Sequence, residues 1–262
     1  MLSDKNLLII GGTTGLGWSA ALAFVAQGAR VVITGRNPDS CAQAQEQLGE
    51  RGIALSSDAT VEGSAEAAID ASQQRWGNLH GLYHVAGGSG RKFGDGPLHE
   101  MTLAGWNKTL QLNLTSLMLS NRAAIRAFQQ QGNPGAILNM GSVLGFSPSP
   151  TYFTTHAYAA AKSAIVGFSQ SIAAHYAPQN IRVNVIAPAL VETPMAQRAA
   201  QDDTIQAFIK TKQPLDGGRM GRVQDLDGAA SLLLSDQGAF ITGQVITVDG
   251  GWSISEGQIP PA

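Results

Sequence analysis

Charge is scarce in this 262-residue chain: Asp, Glu, Lys and Arg together make up 14%, against roughly 25% in average globular chains. The 17 basic and 19 acidic residues leave a formal net charge of −2. That is too little of either sign for bulk electrostatic binding of nucleic acid or of an anionic membrane. Cysteine is nearly absent. The single Cys41 excludes an internal disulfide, and a reducing, cytoplasmic setting is the expectation. No apolar run approaches the ~18 residues of a membrane span. Asp4 and Lys5 precede only the short strand-like run Leu7-Leu8-Ile9-Ile10, which does not read as a secretory signal. No internal repeat, low-complexity block or Pro/Ser-rich linker divides the chain. Glycine is abundant at 31 and proline modest at 11, together below the ~25–30% that marks disorder. Apolar residues make up 44%. One domain over 1–262 is expected, with its charge-poor surface used at a subunit interface.

Short β-branched runs alternate with longer alanine-rich segments. Strands are predicted at 6–10, 30–34, 53–56, 81–85, 136–140, 182–186 and 245–248. Helices are predicted at 15–28, 39–50, 62–76, 102–130, 157–177 and 223–235. The strands are continuously apolar, the pattern of a parallel sheet covered on both faces. The β-α-β rhythm implies an α/β fold of Rossmann type, a doubly wound parallel sheet of about seven strands. The rhythm breaks at 188–219, which is expected to form a substrate lid beyond the carboxyl ends of the strands. The tail at 253–262 is expected either to lack structure or to pack on a neighbouring subunit.

Three groups of residues carry chemistry. The first strand runs into Gly11-Gly12-Thr13-Thr14-Gly15-Leu16-Gly17 and then a helix. Glycines there admit positive φ and let backbone N–H groups approach a pyrophosphate at the helix N-terminus; the alternative is an ordinary glycine-rich turn. Tyr158 and Lys162, four apart, share one helical face. A nearby ammonium favours the phenolate of a tyrosine whose free pKa is about 10; the alternative is a surface pair. Ser142 follows the fifth strand at its carboxyl end, and Asn113 interrupts an apolar helix, where a buried amide needs partners. For Asn113 the alternative is a structural bridge.

In order and spacing these residues, with Asp58, Ala187-Pro188…Thr193 and Thr242-Gly243…Asp249-Gly250-Gly251, resemble the single-domain short-chain dehydrogenase/reductase family over essentially the whole chain. The resemblance implies an NAD(P)-dependent oxidoreductase. Tyr158 would exchange the proton at the substrate oxygen, and Ser142 would hydrogen-bond that oxygen. Lys162 would hold the nicotinamide ribose and lower the tyrosine pKa, and Asn113 would support a water linking the lysine to solvent. The cofactor would lie along Gly11, Thr13, Thr14, Gly15, Leu16, Gly17, Arg36, Asp58, Ala59, Ala86, Gly87, Tyr158, Lys162, Pro188, Val191 and Thr193. The resemblance also implies a homotetramer, and no metal site is expected. The chain departs from the family pattern at Ile10 (for threonine), at His84-Val85 (for Asn-Asn) and at Ala189 (for glycine).

After the second strand, Gly35 stands where an NAD enzyme of this fold places an acid, and Arg36 follows it. An arginine there accommodates a 2′-phosphate, so NADP is favoured, with NAD possible and Arg36 as a mere turn residue the alternative. The expected activity interconverts a small-molecule ketone and a secondary alcohol, with no nucleic acid or membrane partner. Two alternatives are a 3-oxoacyl thioester reductase of the same family and a noncatalytic nucleotide sensor on the same fold. A sensor is expected to lose the Ser/Tyr/Lys set, which this chain keeps. The candidate pocket residues Ser89, Phe93, Leu144, Phe146, Tyr152, Phe153, His156, Ala189, Met195, Phe208 and Ile209 are mostly apolar, and Arg91, Lys92, Lys210 and Lys212 could bind an acidic group, with solvated loop charges the alternative.

Overall fold

The computed structural model of the protein describes residues 1–257. Seven parallel strands form one sheet: β1 (Asn6–Ile10), β2 (Arg30–Gly35), β3 (Gly52–Ser56), β4 (Gly81–His84), β5 (Gly135–Met140), β6 (Ile181–Pro188) and β7 (Val245–Val248). Their order across the sheet is β3-β2-β1-β4-β5-β6-β7. The helices are α1 (Gly15–Ala26), α2 (Pro38–Leu48), α3 (Ser64–Trp76), α4 (Leu103–Leu110), α5 (Ser116–Gln131), α6 (His156–Tyr176), α7 (Gln197–Ala200), α8 (Asp203–Lys212) and α9 (Asp227–Leu234).

The apolar strands follow from burial on both faces. Successive side chains alternate sides along a strand. Leu7 and Ile9 enter a core with Phe24 of α1, Leu48 of α2 and Leu233 of α9. Leu8 and Ile10 enter the opposite core with Ile69 of α3 and Phe128 of α5. All these side chains are nearly or fully inaccessible to water. Burying one such Leu, Ile or Phe side chain contributes about 1.5–3 kcal/mol, so one polar replacement in β1 is enough to undermine a layer.

Chain order reverses between β1 and β4. The helix following β1 covers one face and the helices following β4 cover the other, so a crevice opens at the carboxyl ends of these two strands. Several predicted elements differ in detail, among them the helix expected at 223–235, which opens as a 3-10 helix, Val223–Leu226, ahead of α9. β6 runs on to Pro188. The single helix expected at 102–130 is interrupted by a π-helical turn, Gln111–Thr115. Such turns are rare and frequent at functional sites, and this one holds Asn113.

Candidate functional site

The glycine loop closes because only hydrogen atoms fit where side chains would stand. The Gly11 and Gly12 amides both donate to the Thr34 carbonyl, at 3.0 and 2.9 Å, folding the loop over the end of β2. Gly11 has φ +84° and a Cβ there would lie 2.8 Å from the Ala86 nitrogen. At Gly17 a Cβ would lie 2.1 Å from the Gly11 carbonyl oxygen. Thr14 gives α1 no side-chain cap, and the first turn has no acidic residue. The first-turn N–H groups of Gly15, Leu16 and Gly17 therefore lack capping partners and form a cradle for an anion such as a pyrophosphate. Thr193 and Pro194 come up to this loop, 3.7 Å from where a Gly15 Cβ would be. The residues present fit a dinucleotide.

At the adenine end of that path, a Cβ on Gly35 would stand 2.2 Å from the Thr13 Oγ1. Thr13 thus occupies the space an acid at position 35 would need. Arg36 is exposed, beside Asn37, whose side chain caps α2. Asp58 accepts from the Thr60 amide (2.9 Å) and hydroxyl (2.8 Å). Its carboxyl is held below the usual range, first by the Thr60 amide and less by that hydroxyl and the Arg36 charge. Ala59 is half-buried behind it.

The crevice floor brings four predicted residues close. Asn113 Oδ1 accepts from the Gly88 amide (3.1 Å), and its Nδ2 donates to the Gly88 and Thr109 carbonyls (both 2.9 Å). The widened π turn lets this buried amide reach across to the loop after β4. Gly87 fits under it: a Cβ there would be 2.6 Å from Asn113 Oδ1 and 3.7 Å from Lys162 Nζ. Lys162, 3% exposed, donates to the Met140 carbonyl at 2.8 Å, and its Nζ stands 5.5 Å from the Tyr158 ring centroid. Burial pushes Lys162 down to about 7. Tyr158 is half-buried. Burial pushes it up to about 12, opposed only by a hydrogen bond with the Ser142 side chain. The lowering expected from Lys162 is not among the influences on the tyrosine in this structure; burial and the Ser142 hydrogen bond are.

Several supporting residues have no local signature. Asp95 is buried, and its carboxylate accepts from the Ala157 and Tyr158 amides, both at 3.0 Å. It caps α6 from 62 residues away, where Thr155 provides no side-chain cap. Gly145 presses on the α6 backbone, so the Ser142 loop sits against the Tyr158 helix; a Cβ there would be 2.8 Å from the Ser163 nitrogen. The segment 188–219 is pinned at its base. Gln213, 2% exposed, accepts from the Leu190 amide (3.0 Å) and donates to the Leu190 carbonyl (3.2 Å), and Val191 pairs with Gly221. Above this base, Tyr152, Phe153, Leu144, Ala189 and Phe208 pack around the buried Trp252, together with Ile209. Sequence reasoning missed Trp252, whose Nε1 donates to the Ser147 carbonyl at 3.0 Å. The start of the tail packs on α8 of the same chain: the Ser255 hydroxyl donates to the Thr211 carbonyl at 2.6 Å. Residues 258–262 of the predicted tail lie outside the described residues.

Comparison with known proteins now decides what this crevice belongs to. A family model described as enoyl-(acyl carrier protein) reductase matches residues 11–253. A 2-(S)-hydroxypropyl-CoM dehydrogenase of Xanthobacter autotrophicus is 34% identical, covering 95% of this chain and 97% of its own. A cis-4-hydroxycyclohexanecarboxylate dehydrogenase of Sinomonas cyclohexanicum is 31% identical over 96% and 97%. A short-chain type dehydrogenase/reductase structure from Mycobacterium ulcerans superimposes with TM-score 0.89 at 33% identity, covering 97% and 91%. The chain belongs to the short-chain dehydrogenase/reductase family. Its named relatives are dehydrogenases and reductases, and this protein is an oxidoreductase. A 3-ketoacyl-(acyl-carrier-protein) reductase from Brucella melitensis, complexed with NADH, matches with TM-score 0.85 at 27% identity over 97% and 100%. Among the described residues, no helix is long and apolar enough to cross a membrane.

Within the family frame, the departure at His84 acquires a structural reading. The buried ring makes its own hydrogen bonds: Nδ1 with the Ser120 hydroxyl at 2.7 Å and Nε2 with the Ala86 carbonyl at 3.1 Å. The carbonyl can only accept, so Nε2 carries the proton and Nδ1 accepts from Ser120. Burial, aided by the charge of Lys162, pushes the ring down to about 3. A neutral imidazole thus ties Ala86 to α5. Val85 needs no polar side chain for the loop to hold, because its amide and that of Ala86 both donate to the Ile10 carbonyl.

Proposed function

We propose that this short-chain dehydrogenase/reductase interconverts a small ketone and its secondary alcohol with NADP(H), through Tyr158, Ser142, Lys162 and Asn113. The observation that carries the reading is the convergence of Ser142, Tyr158, Lys162 and the Asn113-bound Gly87–Gly88 loop on one crevice floor. The bound nicotinamide supplies or takes up the hydride. Tyr158, protonated at neutral pH, donates its proton to the carbonyl oxygen in reduction, while the Ser142 hydroxyl hydrogen-bonds the same oxygen. Lys162 holds the ribose hydroxyls and, with a pKa near neutrality, exchanges protons with the path beside Asn113. Gly11, Thr13, Thr14, Gly15, Leu16 and Gly17 cradle the phosphates. Ala86, Gly87, Pro188, Val191 and Thr193 flank the nicotinamide half, and Asp58 and Ala59 the adenine.

NADP(H) is the preferred cofactor in this reading because Arg36 is free to meet a 2′-phosphate and Thr13 excludes an acid at position 35. The chain acts as one domain with 188–219 as its lid, in the cytoplasm. It assembles as a homotetramer through the α5–α6 face, where Met118, Ile125, Phe168, Ile172 and Tyr176 line a groove. A second reading, a 3-oxoacyl thioester reductase, draws on the likeness to the Brucella enzyme. The stretches 129–136 and 173–180, where such enzymes carry arginines, contain none.

The test is loss of NADPH absorbance with a panel of ketones. Tyr158→Phe is expected to lower kcat by about 10²–10⁴-fold while leaving cofactor affinity near that of wild type. Undiminished turnover in that variant, or no turnover of any ketone by wild type, sinks the reading.

A further inference from the structure

Two arginines from distant segments meet beside the apolar cluster around Trp252. Arg91 lies in the turn Gly90–Phe93 after β4, and Arg198 lies on α7, within 188–219. Each donates from Nη2 to the same acceptor, the Tyr152 carbonyl, at 3.4 and 3.3 Å. Tyr152 stands on the connection between Ser142 and Tyr158. Its ring stacks on Phe208 with centroids 4.9 Å apart, in the same cluster as Leu144, two residues after Ser142.

Both arginines are exposed to solvent, and the protein acceptor they share is a neutral carbonyl. A single neutral carbonyl shared by two cations at long hydrogen-bond distances is weak compensation. Neither arginine forms an ion pair among the described residues. The acid that acts on Arg91 is Asp95, but Asp95 is committed to the Ala157 and Tyr158 amides. The charge of Arg198 weighs against Arg91, as does burial. Two guanidiniums held together without a carboxylate are complementary to a compact oxoanion, which each can grip through its remaining N–H groups.

We propose that Arg91 and Arg198 form a clamp for a carboxylate or sulfonate carried by the substrate at the end remote from its reacting carbonyl. The inference rests on the oxidoreductase reading above and narrows its substrate class to anionic ketones and hydroxy acids. Because one arginine belongs to the loop after β4 and the other to 188–219, the anion would also fasten that segment over the pocket. Remote binding of this kind orients the carbonyl toward Tyr158.

The experiment compares matched ketones with purified full-length protein and NADPH: 4-oxopentanoate, its methyl ester and 3-oxobutane-1-sulfonate. Wild type is expected to show kcat/KM for the anions roughly ten- to hundredfold above that for the ester. The carboxylate and sulfonate arms say which oxoanion fits better. Arg91→Gln and Arg198→Gln are each expected to collapse the anion-to-ester ratio, with Arg198→Lys retaining part of it. A wild-type ratio near one overturns the proposal. So does an equal fall for anion and ester, which would make the arginines a mere latch on Tyr152. Calorimetric titration of the NADPH-loaded protein with 4-oxopentanoate separates the two readings. Anion binding lost in both glutamine variants, without any turnover, sustains the clamp and removes the oxidoreductase reading; absence of binding in wild type, with the ester still reduced, removes the clamp alone.

Discussion

At the nucleotide end of the crevice, Gly11, Gly15 and Gly17 are neighbours in sequence and form one loop, tied to β2 by two amides on the Thr34 carbonyl. At the substrate end, Asp95 caps α6 from another loop, and Arg91 and Arg198 meet on a carbonyl of a third segment. The first region is a local motif, closed by the approach of Gly17 to Gly11 and tied down by Thr34 and Ala86. The second is assembled from segments far apart in the chain and is held by few polar contacts. Steric constraint dominates at the glycine loop; long-range charge and capping interactions dominate around Asp95, Arg91 and Arg198. A family can therefore hold the first constant and vary the second.

The sharpest way to break the nucleotide end is Gly17→Ala. The added Cβ meets the Gly11 carbonyl at 2.1 Å, an overpacking of about 1–3 kcal/mol or more. Because the strain falls on the anion cradle, NADPH affinity is expected to fall about ten- to hundredfold, measured by fluorescence titration. At the same end, Arg36→Ala is expected to lower the NADPH-to-NADH ratio of kcat/KM about tenfold, the value of one charge-assisted hydrogen bond. Gly35→Asp alone is expected to make a poor NADH enzyme, because Thr13 occupies the space of the new side chain. Pairing it with Thr13→Ala should release the switch, and steady-state kinetics with both cofactors checks this.

At the substrate end, Asp95→Ala removes the carboxylate that receives both amides of the first turn of α6. A lost helix cap costs about 0.5–2 kcal/mol, read as a lower melting temperature. A fall in kcat beyond that of an equally destabilising core variant would show that the cap also aims Tyr158. An effect confined to acid pH is expected at His84, which joins the two regions through Ala86. Its folded-state pKa is depressed to about 3, while the unfolded ring titrates near 6.5. The unfolded state therefore takes up the proton first. The contribution is intact above about pH 6.5 and is lost as pH falls from there toward 3. His84→Asn should flatten this part of the stability–pH curve, measured by denaturant unfolding at a series of pH values.

Seven strands, their parallel sense, the glycine loop and the Tyr158–Lys162 pair were legible because each is written in contiguous residues. Apolar runs covered on both faces, a turn that tolerates no Cβ and a four-residue helical spacing are all local properties. The π turn at Asn113 was not legible. It arises because the Asn113 amide finds Gly88 across the crevice, a partner no window of sequence contains. Asp95, Gln213 and Trp252 escaped for the same reason: each acts on a backbone group brought near only by the closed fold. The sequence by itself determined the sheet, the glycine loop and the placing of Tyr158 and Lys162 on one helical face, since steric and periodic rules act between near neighbours. Tertiary structure alone decided that burial holds Tyr158 protonated and Lys162 near neutrality, and that Arg91 and Arg198 share one acceptor. Desolvation and charge pairing depend on which distant surfaces come together, and the chain settles that only by folding.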